Sequence, residues 1–123
     1  MKYRDMQRHV VKAQAWLEII VGAILIAVPD LPCLLVFGSK PESIAKPLAR
    51  WVGVSLLALG IACVPARNAE PNRSAMRGLF VFNIGTTALF AWVGTVTAHG
   101  LVLWPVVILH AVIAVALLRK LMT

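Results

Sequence analysis

An all-α integral membrane protein, a four-helix bundle with short loops in one domain spanning residues 1–123, is the fold class this chain predicts, and three observations predict it. Of the residues 60% are hydrophobic and 14% charged, with a mean hydropathy of +0.85, far from the balance of a water-soluble domain. The apolar residues gather in four stretches, roughly 13–28, 48–64, 78–98 and 101–118. At ~1.5 Å rise per residue each is close to the length that crosses a ~30 Å hydrocarbon core. Strand alternation is absent from them, and backbone groups in lipid must be paired within the segment, so the stretches read as helices and not as strands of a barrel.

Helix 1 follows a basic lead of Lys2, Arg4, Arg8 and Lys12 and runs from Ala13 to Val28, where Pro29 closes it. A basic lead before an apolar run imitates a signal peptide, but Glu18 interrupts the run and no small-x-small cleavage site follows, so the segment reads as a retained helix. Between Asp30 and Gly38 the apolar stretch from Leu31 to Phe37 is too short to cross and is expected to lie along the outer interface or to extend helix 1 past a kink. Pro32 stands where a lipoprotein site at Cys33 would need a small residue. Helix 2 runs from Leu48 to Val64 between Pro47 and Pro65, helix 3 from Gly78 to Ala98, and helix 4 from Leu101 to Leu118 with Pro105 in its first turn, where the missing N–H is harmless. Cys33 and Cys63 fall near opposite membrane faces, roughly 20 Å apart by helix rise. That exceeds the ~7 Å limit for bridged Cα atoms, so both read as packing residues.

Basic residues set the expected orientation. Nine lie before helix 1, between helices 2 and 3 and after helix 4 (Lys2, Arg4, Arg8, Lys12, Arg67, Arg73, Arg77, Arg119 and Lys120), against three on the other side (Lys40, Lys46 and Arg50). By the positive-inside rule both termini and the middle loop are expected in the cytoplasm; the expected location is a cell inner membrane. The formal net charge of +7 is accounted for by topology and anionic headgroups, so the bilayer and not nucleic acid is the expected partner. Trp51, Trp92 and Trp104 fall toward the outer ends of their helices and Trp16 near the inner end of helix 1, as aromatic belts require.

Intramembrane polar residues are the chemical clue. Glu18, Asn83 and His110 are all expected in the cytoplasmic half of the bilayer, where such groups normally face protein and find partners. Gln14, Glu18 and Gly22 share a face at spacing four. Ala49, Gly53, Leu56, Gly60 and Cys63 form a small-residue seam on helix 2, and Asn83, Thr87 and Gly94, with His110 and Ala114, give seams to helices 3 and 4. Two roles fit the cluster. A Glu18–His110 pair steadied by Asn83 could bind a proton or a polar headgroup, or the three could simply hydrogen-bond helices together. Asp30 and Arg50, both near the outer interface, form a candidate ion pair, with a snorkelling arginine as the simpler alternative. Phosphate loops, metal-ligand spacings and nucleophile–histidine arrangements are missing, so neither a metal nor a cofactor is expected and nothing signals an enzyme.

Trp16-Leu17-Glu18 leading to Ala27-Val28-Pro29, Ala49-Arg50 followed by Gly53 and Gly60, Asn83, and Trp104-Pro105 followed by His110 together resemble the small four-helix DoxX-like bacterial membrane proteins across nearly the whole chain. That resemblance implies a four-helix bundle, in some members linked to partner redox or membrane enzymes, and assigns no active site. Length, helix number and the lone carboxylate Glu18 in helix 1 also resemble the small multidrug resistance exporters, which couple proton release to cation export. His110, Arg50 and the basic N-terminus depart from that pattern. The expected function is a non-catalytic accessory or assembly subunit packing against a larger membrane complex or in a homo-oligomer, with proton-coupled export as the alternative.

Overall fold

A computed structural model describes residues 3–64 and 71–122; Lys2, Pro65 and Arg67, and the side chain of Arg4, lie outside the described residues. Among the described residues all regular structure is helical: α1 (Tyr3–Ala27), α2 (Asp30–Phe37), α3 (Ala45–Cys63), α4 (Arg73–Val96) and α5 (Leu103–Met122). Four of these contain stretches long and apolar enough to cross a membrane, Arg8–Ala27, Ala45–Cys63, Arg73–Val96 and Leu103–Met122.

Each long helix differs at its ends from the apolar run that announces it. Helix α1 starts at Tyr3 rather than Ala13, because no glycine or proline interrupts residues 3–12 and Val11, Gln14, Ala15, Glu18, Gly22 and Leu25 make one continuous buried stripe at helical spacing. Glu18 and Trp16 therefore sit near the middle of the Arg8–Ala27 span, not near its inner end, and Trp16 is half-exposed on the outward face. Helix α4 likewise begins before Gly78, where the Asn72 side chain accepts the Ser74 N–H at 2.8 Å as an N-cap. Helix α5 runs past Leu118 to Met122; its last turn carries Arg119 and Lys120, and the Arg73 guanidinium donates to the Leu121 carbonyl at 2.9 Å, filling an otherwise open helix end.

Two antiparallel pairs make the bundle. In α1 and α3 the small residues face one another: a methyl group at Gly22 would lie 2.7 Å from the Gly53 carbonyl oxygen, and one at Gly60 would lie 2.6 Å from the Ala15 carbonyl oxygen. Backbone approach this close is what small-residue seams provide where lipid tails are as apolar as leucine. The second pair, α4 and α5, closes over Leu79, Leu103, Val107, Ala114 and Leu117. The pairs meet in two clusters. Val11, Ala15, Cys63, Met76, Leu79 and Leu117 gather the start of α1 and α4 with the end of α3 and α5. Leu25, Cys33 and Leu56, with Val21, Ala49 and Phe82 against them, join α1, α2, α3 and α4 toward the other end. Cys33 and Cys63 are free, buried and in separate clusters.

Helix α2 is an independent short helix, and the α4–α5 connection is bonded to it. Gly38, at φ +74°, ends α2 in the left-handed region and donates its N–H to the Leu34 carbonyl at 3.0 Å. The next two open carbonyls are taken from across the bundle, Leu35 by the Val102 N–H at 3.1 Å and Val36 by the Gly100 N–H at 3.0 Å. A side chain at Gly100 would collide with the Leu35 carbonyl. Burial and the neighbouring Asp30 carboxylate push the Cys33 thiol above its usual range, which keeps it protonated and inert.

Candidate functional site

The intramembrane polar residues resolve into two pairs. In the α4–α5 pair, the His110 ring nitrogen Nδ1 lies 2.7 Å from Asn83 Oδ1. An amide oxygen only accepts, so Nδ1 carries the hydrogen and donates. Asn83 is fully buried, and its Nδ2 donates to the Leu79 carbonyl one turn back at 2.7 Å. The Thr87 hydroxyl donates to the Asn83 carbonyl at 2.8 Å. Phe82 meets the imidazole edge-on with centroids 5.7 Å apart, which fixes the ring plane. These bonds run from α5 into α4 and then along one turn of α4 on either side of Asn83.

The second pair lies on one helix. Glu18 is 3% exposed and Gln14 1%, and the Gln14 side-chain Nε2 donates to Glu18 Oε1 across one turn of α1. Spacing of four residues brings the two side chains onto the same face, and the glycines at Gly22 and Gly60 let α3 cover it. Gln14 Oε1 is buried without a hydrogen-bond partner. The expected Glu18–His110 pairing is not what the structure forms: Glu18 is bonded within α1, and His110 is bonded to Asn83. The i, i+4 relation of Gln14 and Glu18 was the sequence signal for the observed partner, because a local contact forms without any condition on helix packing.

At the interface end, the pairing of Asp30 with Arg50 is also replaced. Lys46 reaches Asp30, with Nζ 3.1 Å from Oδ1 and 3.3 Å from Oδ2. Starting α3 at Ala45 brings Lys46, one turn ahead of Arg50, beside the first residue of α2, while Arg50 is exposed. Both partners are partly exposed, so the pair contributes no more than about 1 kcal/mol.

A cleft of about 390 Å³ opens on the α4–α5 flank, lined by Phe80, Ile84, Thr87, Ala111, Ala114 and Val115 among others. Its walls are almost wholly apolar, and neither Glu18 nor His110 lines it. Among the described residues no group of three or more His, Cys, Asp or Glu side chains is placed to hold a metal ion. Comparison of the chain with protein-family models, with curated proteins and with solved structures finds no match.

Proposed function

We propose that this chain is a non-catalytic accessory or assembly subunit of the cell inner membrane, of the DoxX-like kind, with both termini cytoplasmic, that packs one helix face against a larger membrane complex. The observation that carries this reading is the outer face of α4. Ser74, Gly78, Val81, Gly85, Ala88 and Trp92 fall on one exposed stripe at alternating spacings of four and three. A methyl group at Gly78 or Gly85 would meet nothing within 4 Å. The device that seats α1 on α3 inside the chain is thus repeated on α4, where no described residue lies against Gly78 or Gly85, and a second helix is what such a seam admits. Export finds less support: Glu18 is covered and bonded inside α1, and the α4–α5 cleft does not reach it.

Native mass spectrometry of the protein drawn from its own membranes in mild detergent tests the proposal. Wild type is expected in a hetero-complex of fixed stoichiometry. The double variant Gly78→Leu, Gly85→Leu, at two positions where an added Cβ meets nothing within 4 Å, is expected to keep its helicity and melting temperature and to be missing from that complex. Wild type found alone or only with copies of itself would sink the accessory reading, as would a double variant that still joins the complex.

A further inference from the structure

We propose that Glu18 and Gln14 form a buried proton-binding site: a reciprocal pair of carboxylic acid and primary amide, in which Gln14 Nε2–H donates to Glu18 Oε1 and Glu18 Oε2–H donates to Gln14 Oε1. This inference is independent of the docking face on α4. It starts from the one acceptor in the span that the structure leaves open. Gln14 Oε1 is buried and unpartnered although its own amide nitrogen is engaged, and the group beside it is a carboxyl. A buried acceptor without a donor costs about 1–3 kcal/mol, more than most hydrogen bonds contribute. An ionised carboxylate has no donor to offer, whereas a protonated one has a single O–H. When the bonded amide N–H is the one cis to its carbonyl, the amide oxygen and the free acid oxygen face each other, so one proton closes the ring and satisfies both residues. The proton comes from hydronium: one O–H bond forms on Glu18 as one breaks in H3O+, leaving water, and the negative charge at mid-span is removed.

The charged surroundings agree with a neutral pair. Helix α1 packs against α2, α3 and α5 and, through Val11, Ala15, Met76 and Leu79, against α4, whose Arg73 and Arg77 are exposed. From α3 the titratable side chain near Glu18 is the uncharged Cys63 thiol. From α5 His110 is engaged by Asn83, while Arg119 and Lys120 stand in the last turn. From α2 Asp30 is held by Lys46 at the far end. None of these is a cation bonded to the Glu18 carboxyl, which leaves Gln14 and a proton as its partners.

Infrared spectroscopy on protein labelled with 13C-glutamate, in vesicles of neutral and anionic phospholipid without added sodium, reads the site directly. The three glutamates are Glu18, Glu42 and Glu70. At about pH 7, well above the ordinary glutamate value of ~4.3, one labelled acid carbonyl band is expected to persist and to vanish in Glu18→Gln. In Gln14→Met the band is expected to move to the frequency of an acid lacking a strong hydrogen bond. Should that variant fail to fold, solid-state NMR of wild type gives the same contact as a through-space peak between the Glu18 acid proton and the Gln14 side-chain carbonyl carbon. The absence of an acid band at neutral pH, its loss on adding sodium ions, or a band that Gln14→Met leaves unmoved together with no NMR contact would each overturn the pair.

Discussion

His110 and Asn83 show how a polar residue is held where water cannot reach. The imidazole donates across the α4–α5 interface, the amide passes its own hydrogen to Leu79, and Phe82 closes the side. Hydrogen bonds between membrane helices average ~0.6 kcal/mol and reach ~1.7 kcal/mol, because the separated helices also find partners. A double-mutant cycle on Asn83→Ala and His110→Phe, measured by steric trapping in bilayers, is therefore expected to give a coupling of about 1 kcal/mol. The same cycle on Glu18→Gln and His110→Phe is expected to give coupling near zero, since those side chains have different partners. The identities of the buried polar residues were legible in the sequence, because lipid leaves few places for them. Of their pairings only Gln14 with Glu18 was signalled, by its spacing of four; Asn83 with His110 was not, because apolar runs give the depth of a residue only as well as they give helix ends, and α1 starts ten residues before its run.

Helix ends and helix contacts separate in the same way at the scale of elements. The seam Gly53, Leu56, Gly60 and Cys63 could be read from spacing alone, and all four are buried against neighbours. Nothing in spacing tells whether a seam is filled from inside the chain, as on α3, or left open, as on α4. The short apolar stretch after Pro29 was legible as too short to span. Its role as a platform for the α4–α5 connection depends on two backbone bonds between residues more than sixty positions apart, which no local pattern encodes. Those bonds make a sharp forecast for Gly100. A methyl group there meets the Leu35 carbonyl and must push the connection off α2, opening the carbonyls of Leu35 and Val36. Gly100→Ala is expected to destabilise by about 1–3 kcal/mol, the penalty of unpaired backbone acceptors, with hydrogen exchange accelerating at Val102. Gly78→Ala, where the added methyl meets nothing, is the control and should leave stability within about 0.5 kcal/mol. Equal effects at the two glycines would show that the α2 platform does not anchor the connection.

Across the whole molecule, charge and packing sort the two ends of the bundle. The cluster of Val11, Cys63, Met76 and Leu117 brings together the helix ends that carry Arg8, Lys12, Arg73, Arg77, Arg119 and Lys120. The other end, with α2 and the 97–102 connection, carries Lys40, Lys46 and Arg50, and Lys46 is bound to Asp30. The even number of long helices and this asymmetry were both readable before any packing was known, since they depend on composition and not on contacts. The orientation they imply is a forecast about the membrane. Lysine and arginine in short connections are held on the cytoplasmic side during insertion, so the more basic end should stay inside. Reporter fusions at Asn72 and Thr123 are expected to give a cytoplasmic signal, and fusions at Lys40 and Gly100 an external one. Replacing Arg73, Arg77, Arg119 and Lys120 with glutamine and adding lysines beside Lys40 removes the asymmetry without touching the buried seams, and a mixed or inverted reporter pattern is expected. An external signal from Thr123 in the unaltered chain would show that something other than basic residues orients the bundle, and the proposed cytoplasmic placement of the termini would fall with it.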